Sequence, residues 1–308
     1  MAQVQKNNPY FDLESARAIA AQFFGIGASA RRLPGERDQN FLLADDFGQP
    51  VVLKIANAAE SRAFLEAQNA VLDYLSDRVP FCQSVIGGIG EFQGRLVRLL
   101  TYLPGVPLAE IKPHTPGLLQ DFGQKLGQLS RALADFDHPT VHRDFHWDLA
   151  NGNRIVSQYA PLIENAELRE LVLKCRFEPE TELRRSVIHG DANDYNVLVD
   201  PESMTVSGLI DFGDMVYSYT VGDLAIALAY VVLGEGDPRD VIAGYRSEFG
   251  LLDEEREALG PLVRLRLAMS VCIAAHQIRE QPENEYLRIS QKAIEKTLPR
   301  IYADEFTD

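Results

Sequence analysis

Two neighbouring stretches, VIHGDANDYNVLVD and VSGLIDFGD, carry oxygen-bearing side chains at a spacing suited to chemistry. A strand is expected to end at Ile188, a tight turn to hold His189, Gly190 and Asp191, and a new strand to begin after Asn196. Asp191 and Asn196 lie five positions apart on that short loop, and Asp211 closes the strand that follows. Phosphoryl transfer asks for such a set. One carboxylate accepts or orients the proton of an attacking hydroxyl. An amide oxygen and a second carboxylate hold Mg²⁺ against nucleotide phosphates, where it neutralises charge in the transition state. Asp191 suits the first role, Asn196 and Asp211 the other two. HGD alone is a weak signal. Its combination with an asparagine five positions on and Asp-Phe-Gly after the next strand is a specific one.

A rival segment, HRDFHWDLAN at 142–151, has the look of a second catalytic loop. Its Asn151 comes seven positions after Asp144 rather than five, and no Asp-Phe-Gly strand follows at short range. Two catalytic loops cannot share one metal site, so Asp191 is preferred. The rival still gathers Arg143, His146, Trp147 and Asp148 into a polar-aromatic cluster, in which the only tryptophan reads either as a lid over a helical core or as a substrate contact.

The elements that must position these residues follow from periodicity. Apolar spacing over 12–24 and a stop at Gly25 predict a helix. Residues 30–33, 40–44 and 50–56 read as antiparallel strands, 58–77 as a helix, and 87–103 as a hairpin ending in an apolar strand. Pro104, Gly105 and Pro107 then punctuate a boundary between lobes. Beyond it, helices are expected at 115–136, 160–177, 221–233, 239–249 and 254–280, with short strands at 186–188 paired to 197–199, and at 206–210. The expected fold class is α+β, with a small antiparallel-sheet N-lobe and a larger, mainly helical C-lobe.

HGDANDYN with DFG resembles the catalytic and metal loops of the aminoglycoside phosphotransferase and choline kinase group, relatives of the protein kinases. The resemblance covers nearly the whole chain and implies a two-lobed protein kinase-like fold: a nucleotide-binding lobe over 1–103 ending at a hinge, and a catalytic and substrate-binding lobe over 104–308. It implies Mg²⁺ with ATP or GTP as phosphoryl donor. Lys54, in VVLKIA, is similar to the family's phosphate-binding lysine, and Glu66 to the helix glutamate that pairs with it. The nucleotide loop departs from the protein-kinase pattern, LPGERDQNF having Gly35 alone, and Gln39 and Asn40 are placed there to contact phosphate or shape the turn. RLLTYLPG resembles the hinge, which puts the backbone near Thr101 and Leu103 against the base. His189 is expected to brace the catalytic loop, and Asp223 to anchor it from behind or cap its own helix.

RDQNF, VRLLTYLPG, HGDANDYN and GLIDFGDM are, more finely, similar to the hydroxylysine kinase subgroup. The implied acceptor is a small hydroxylated amine or amino acid such as 5-hydroxylysine. Aminoglycosides, homoserine, choline and ethanolamine are the alternatives, and a nucleotide-binding pseudokinase module is the alternative of another class. An amino-acid acceptor needs carboxylates for its ammonium groups and a cation for its carboxylate. Asp194 and Asp214 are placed at the first, Arg143 at the second, with Trp147 beside them. A protein kinase is excluded, because only nine residues separate Gly213 from Asp223 and leave no room for an activation loop.

Composition narrows the partners. The net charge of −15 and the absence of a Lys/Arg run exclude nucleic acid held through phosphate contacts. Three well-separated cysteines (Cys82, Cys175, Cys272) suit a reducing, cytoplasmic compartment. The longest apolar stretch, around 224–233, falls short of the roughly 20 residues that span a bilayer, so no membrane partner is expected.

Overall fold

The structure, a computed structural model, describes residues 10–27, 29–35, 37–44, 47–280, 286–301 and 306. The chain divides into two compact units, one ending at Pro104 and the other beginning at Gly105.

In the first unit, helix α1 (Leu13–Phe24) begins where the Asp12 side chain accepts the Ser15 N–H, and stops at Gly25, whose φ of 68° suits a residue without a Cβ. Strands β1 (Ala30–Leu33), β2 (Gln39–Ala44), β3 (Pro50–Ile55), β4 (Val85–Phe92) and β5 (Arg95–Thr101) form one antiparallel sheet in the order β1-β2-β3-β5-β4. The β4–β5 hairpin turns at Gln93 and Gly94, both at positive φ, as a two-residue turn matched to strand twist requires. Phe41, Leu43, Leu53, Ile55, Val97 and Leu99 pack with Ile19 of α1 into the core beneath the sheet. Helix α2 (Arg62–Leu75), capped by Ser61, buries Phe64, Leu65, Ala67, Gln68, Val71, Leu72 and Leu75.

The second unit carries β6 (Val106–Pro107), α3 (Pro116–Leu133), α4 (Gly152–Tyr159), α5 (Ala166–Lys174), β7 (Arg185–Ile188), β8 (Val197–Asp200), β9 (Thr205–Leu209) and β10 (Val216–Tyr219). Helices α6 (Gly222–Leu233), α7 (Pro238–Glu248), α8 (Asp253–Glu280) and α9 (Tyr286–Ile301) follow. Three sequence expectations need correcting. β7 pairs with β10, and β8 with β9 and β6, so the strands either side of the catalytic loop are not partners. The helix expected over 160–177 is only α5, preceded by a 3₁₀ turn at Ala160–Leu162 and restarted by Asn165, whose side chain accepts the Glu167 and Leu168 N–H groups. The helical segment Asp253–Arg279 is long and apolar enough to cross a bilayer, but its apolar 18-residue window is 83% buried inside the protein, as in a core helix.

Helices α3 and α7 approach unusually closely. A Cβ on Gly123 would stand 2.0 Å from the Val241 carbonyl oxygen, and one on Gly244 2.0 Å from that of Gln120, so backbone meets backbone at this crossing.

Candidate active site

The catalytic loop leaves β7 at Ile188 and is tied down at once. The buried Asp223 carboxylate accepts the His189 N–H (2.9 Å) with one oxygen and the Gly190 N–H (2.8 Å) with the other. Asp223 lies in the first turn of α6 but caps nothing there; its oxygens face the loop. The His189 ring spans the two motifs: Nδ1 faces the Asp191 N–H at 3.2 Å and Nε2 the Ile210 carbonyl at 3.1 Å, which sets the proton on Nε2. The same ring meets Phe212 edge-on at 4.6 Å. Gly190 sits at φ 80°, and a Cβ there would strike the Asp214 carbonyl oxygen at 2.4 Å. No other residue lets the two loops come so near.

Asp191 and Asn196 are in contact. The Asn196 amide nitrogen donates to both the Asp191 carbonyl and its Oδ2, each at 2.9 Å, which leaves the amide oxygen free of that exchange. The Asn196 carbonyl in turn accepts the Ile210 N–H at 3.0 Å, so the residue before Asp211 is pinned to the catalytic loop. Asp211 takes a left-handed backbone (φ 70°, ψ 76°), uncommon for a residue other than glycine though aspartate tolerates it better than most, and its Oδ1 accepts the Gly213 N–H at 3.3 Å. The three side chains singled out by spacing thus come from two loops stitched together by hydrogen bonds.

The second Asp191 oxygen, Oδ1, lies 3.0 Å from Nη2 of Arg266 on α8, a residue the motifs do not reveal. Burial raises the Asp191 carboxyl to about 6, the nearby Asp214 charge pushes the same way, and Arg266 opposes both.

The rival segment has a different task. Asp144 is exposed and ion-paired with Arg154. Arg143 Nη2 donates to the Gly213 and Met215 carbonyls at 3.1 and 3.0 Å, immediately after Asp-Phe-Gly, and its guanidinium lies 4.2 Å from the Phe145 ring. Phe145 and Trp147 pack with Ile188 and Val216, and the buried Asp148 accepts the Ser218 hydroxyl. The segment braces the 189–196 loop and the Asp-Phe-Gly loop from outside. Asp194 is half-buried, and burial raises its carboxyl.

In the first unit, Lys54 is buried on β3, facing Asn40 of β2 and Arg98 of β5 across the sheet. Its amine lies 3.9 Å from the Asp38 carboxylate. Glu66, expected as its partner, is exposed on α2. The helix turns Gln68 to the sheet instead, and Gln68 and Asn69 accept from Arg98. Gln39 is also otherwise engaged: its buried amide accepts the Phe11 N–H at 2.8 Å and donates to the Phe11 carbonyl at 2.6 Å. Asn40 donates to the Pro34 carbonyl at 2.9 Å and so shapes the turn. Thr101 is fastened to β4's entry: its hydroxyl accepts the Ser84 N–H and its carbonyl the Gln83 amide, both at 2.8 Å. Leu103 follows two residues later.

Known proteins share this architecture. Residues 29–262 match the phosphotransferase enzyme family, and the chain belongs to it. The hydroxylysine kinase of Xenopus laevis is 32% identical, with 98% of this chain and 92% of that protein aligned. That of Mus musculus is 34% identical, over 96% of this chain and 90% of the relative. An amicoumacin kinase solved with AMP-PNP and Ca²⁺ superposes with a TM-score of 0.69, covering 96% of each chain at 17% identity, which shows the shared fold. The protein is therefore a small-molecule kinase, a phosphotransferase with an alcohol group as acceptor.

Proposed function

We propose that this kinase moves the γ-phosphoryl group of ATP or GTP onto the side-chain hydroxyl of an amino acid or amine, with 5-hydroxylysine as the acceptor best supported. One observation carries that choice: the likeness to the frog and mouse hydroxylysine kinases runs over 98% and 96% of the chain, and is not confined to the motif loops that all such kinases need.

In this reading Asp191 accepts the acceptor's hydroxyl proton. Asn196 and Asp211 would hold Mg²⁺, and their donor chemistry fits: the Asn196 amide nitrogen is tied to Asp191, so its oxygen remains as the ligand atom. Among the described residues no group of three or more His, Cys, Asp or Glu could hold a metal by itself. That suits Mg²⁺, which takes one or two protein ligands and completes its shell with phosphate oxygens and water. When bound, the ion supplies charge neutralisation to the transferring phosphoryl group. Lys54 contacts nucleotide phosphate, and backbone groups near Thr101 and Leu103 meet the base. Asp194 and Asp214 serve the acceptor's ammonium groups. Gln39, Asn40, Glu66 and Arg143 are left out of the ligand contacts, since the first two and Arg143 are bonded to backbone and Glu66 faces solvent.

Nucleotide consumption measured with 5-hydroxylysine, lysine, homoserine, choline, ethanolamine and an aminoglycoside tests the proposal. Turnover is expected with 5-hydroxylysine and none with lysine, which lacks the hydroxyl. Asp191→Asn should lower the rate about 10²–10⁴-fold, the usual contribution of a positioned acid or base. Preferential turnover of another acceptor in the panel would overturn the choice of 5-hydroxylysine.

A further inference from the structure

Arg266 lies in PLVRLRLAMSVCIAA, a length of α8 in which Arg264 is the one other charged residue, and its side chain is only 3% exposed. A guanidinium withdrawn from water costs several kcal/mol unless its charge and donors are met. Here Nη2 reaches Asp191 Oδ1 at 3.0 Å and Nη1 stands 3.5 Å from the Trp147 carbonyl. The planar group lies 4.5 Å from the Trp147 ring centre and 5.9 Å from that of Tyr230, so aromatic faces take the place of solvent. Nε is buried and has no hydrogen-bond partner among the described residues.

We infer that Arg266 is a positioning residue that fixes the reacting carboxylate of Asp191, and that Trp147 is the flat plate that keeps the guanidinium in place. The inference rests on the reading of Asp191 as the proton acceptor. With Oδ1 held by Arg266 and Oδ2 by Asn196, the carboxylate plane has no freedom to rotate, and an incoming hydroxyl meets it in one orientation. This also gives the 142–151 segment a purpose: it carries Trp147 on one side of the site while Arg143 holds the Asp-Phe-Gly loop on the other.

Arg266→Lys keeps the charge but loses the fork and the stacking plane, and Arg266→Ala opens a slot for free guanidine. Both are expected to lower kcat about 100-fold, the scale of a misplacement near 1 Å, with the nucleotide KM within threefold of wild type. Guanidine added to Arg266→Ala should restore part of the rate, and should do nothing for Asp191→Asn. Trp147→Leu should lower kcat in the same sense, whereas Trp147→Phe should keep most of it. In the Asp191→Asn background, Arg266→Lys should cause no further loss. If Arg266→Ala does not fold, Arg266→Lys and the Trp147 pair decide the matter by the same split. The inference is overturned by an Arg266→Lys enzyme with kcat near wild type, or by losses at 191 and 266 that multiply. Full activity in Asp191→Asn would instead sink the assignment of the proton acceptor.

Discussion

A carboxylate that gathers two backbone N–H groups cannot be removed cheaply. Asp223→Ala orphans the His189 and Gly190 donors, each worth about 1–3 kcal/mol when buried without a partner. Thermal unfolding should show a loss of about 2–6 kcal/mol, accompanied by a fall in kcat as the loop loosens. The placement of Asp191, Asn196 and Asp211 on adjoining loops could be read because it is local: one short loop and the end of the next strand fix their separation. Arg266 was not, because its meeting with Asp191 is made by α8 crossing the unit, 75 positions along the chain. A signal did exist, since a cation inside an apolar run must find a partner. The exposure of Glu66 was not readable for a smaller reason: two positions around a helix decide which side chain faces the sheet, and Gln68 has that place.

Glycines inside helices announce close contact between elements. Gly244→Ala on an exposed helix would stabilise by roughly 0.5–1 kcal/mol through lower backbone entropy. On α7 the added methyl meets the Gln120 carbonyl oxygen at 2.0 Å, so the sign should reverse. A loss of about 1–3 kcal/mol by chemical denaturation is expected, with α3 and α7 forced apart. Helix existence was readable from apolar spacing, as over 116–133, but strand partnership was not. β7 and β8 look like a hairpin in sequence. The loop between them must instead splay to carry Asp191 and Asn196, and β7 finds β10 beyond the Asp-Phe-Gly turn. β6, with two residues, is too short for any periodicity to show.

At the scale of the molecule, the three cysteines are all buried and free. Burial raises the thiols, Cys175 to about 11 and Cys272 to about 12, and pushes Cys82 higher still. At neutral pH none carries the thiolate that reacts, so a disulfide-exchange reagent should titrate no thiol in the native protein and three after denaturation. Fast reaction of the native chain would mean that the packing around the reacting thiol opens readily. That helix also corrects the reading of the chain as lacking a long apolar stretch. Its charged residues, among them Arg264 and Arg266, break the run to the eye, while its mean hydropathy stays at 1.5 over the apolar window.

The grip of Asp223 on the catalytic loop has a consequence for how the protein breathes. Most enzymes carry their reactive segment on a part that frays before the rest. Here the His189 and Gly190 amides are latched to a side chain rooted in α6, among the most deeply packed helices of its unit. Those two hydrogens should exchange with deuterium as slowly as the innermost amides, so the segment proposed to perform the chemistry melts last rather than first.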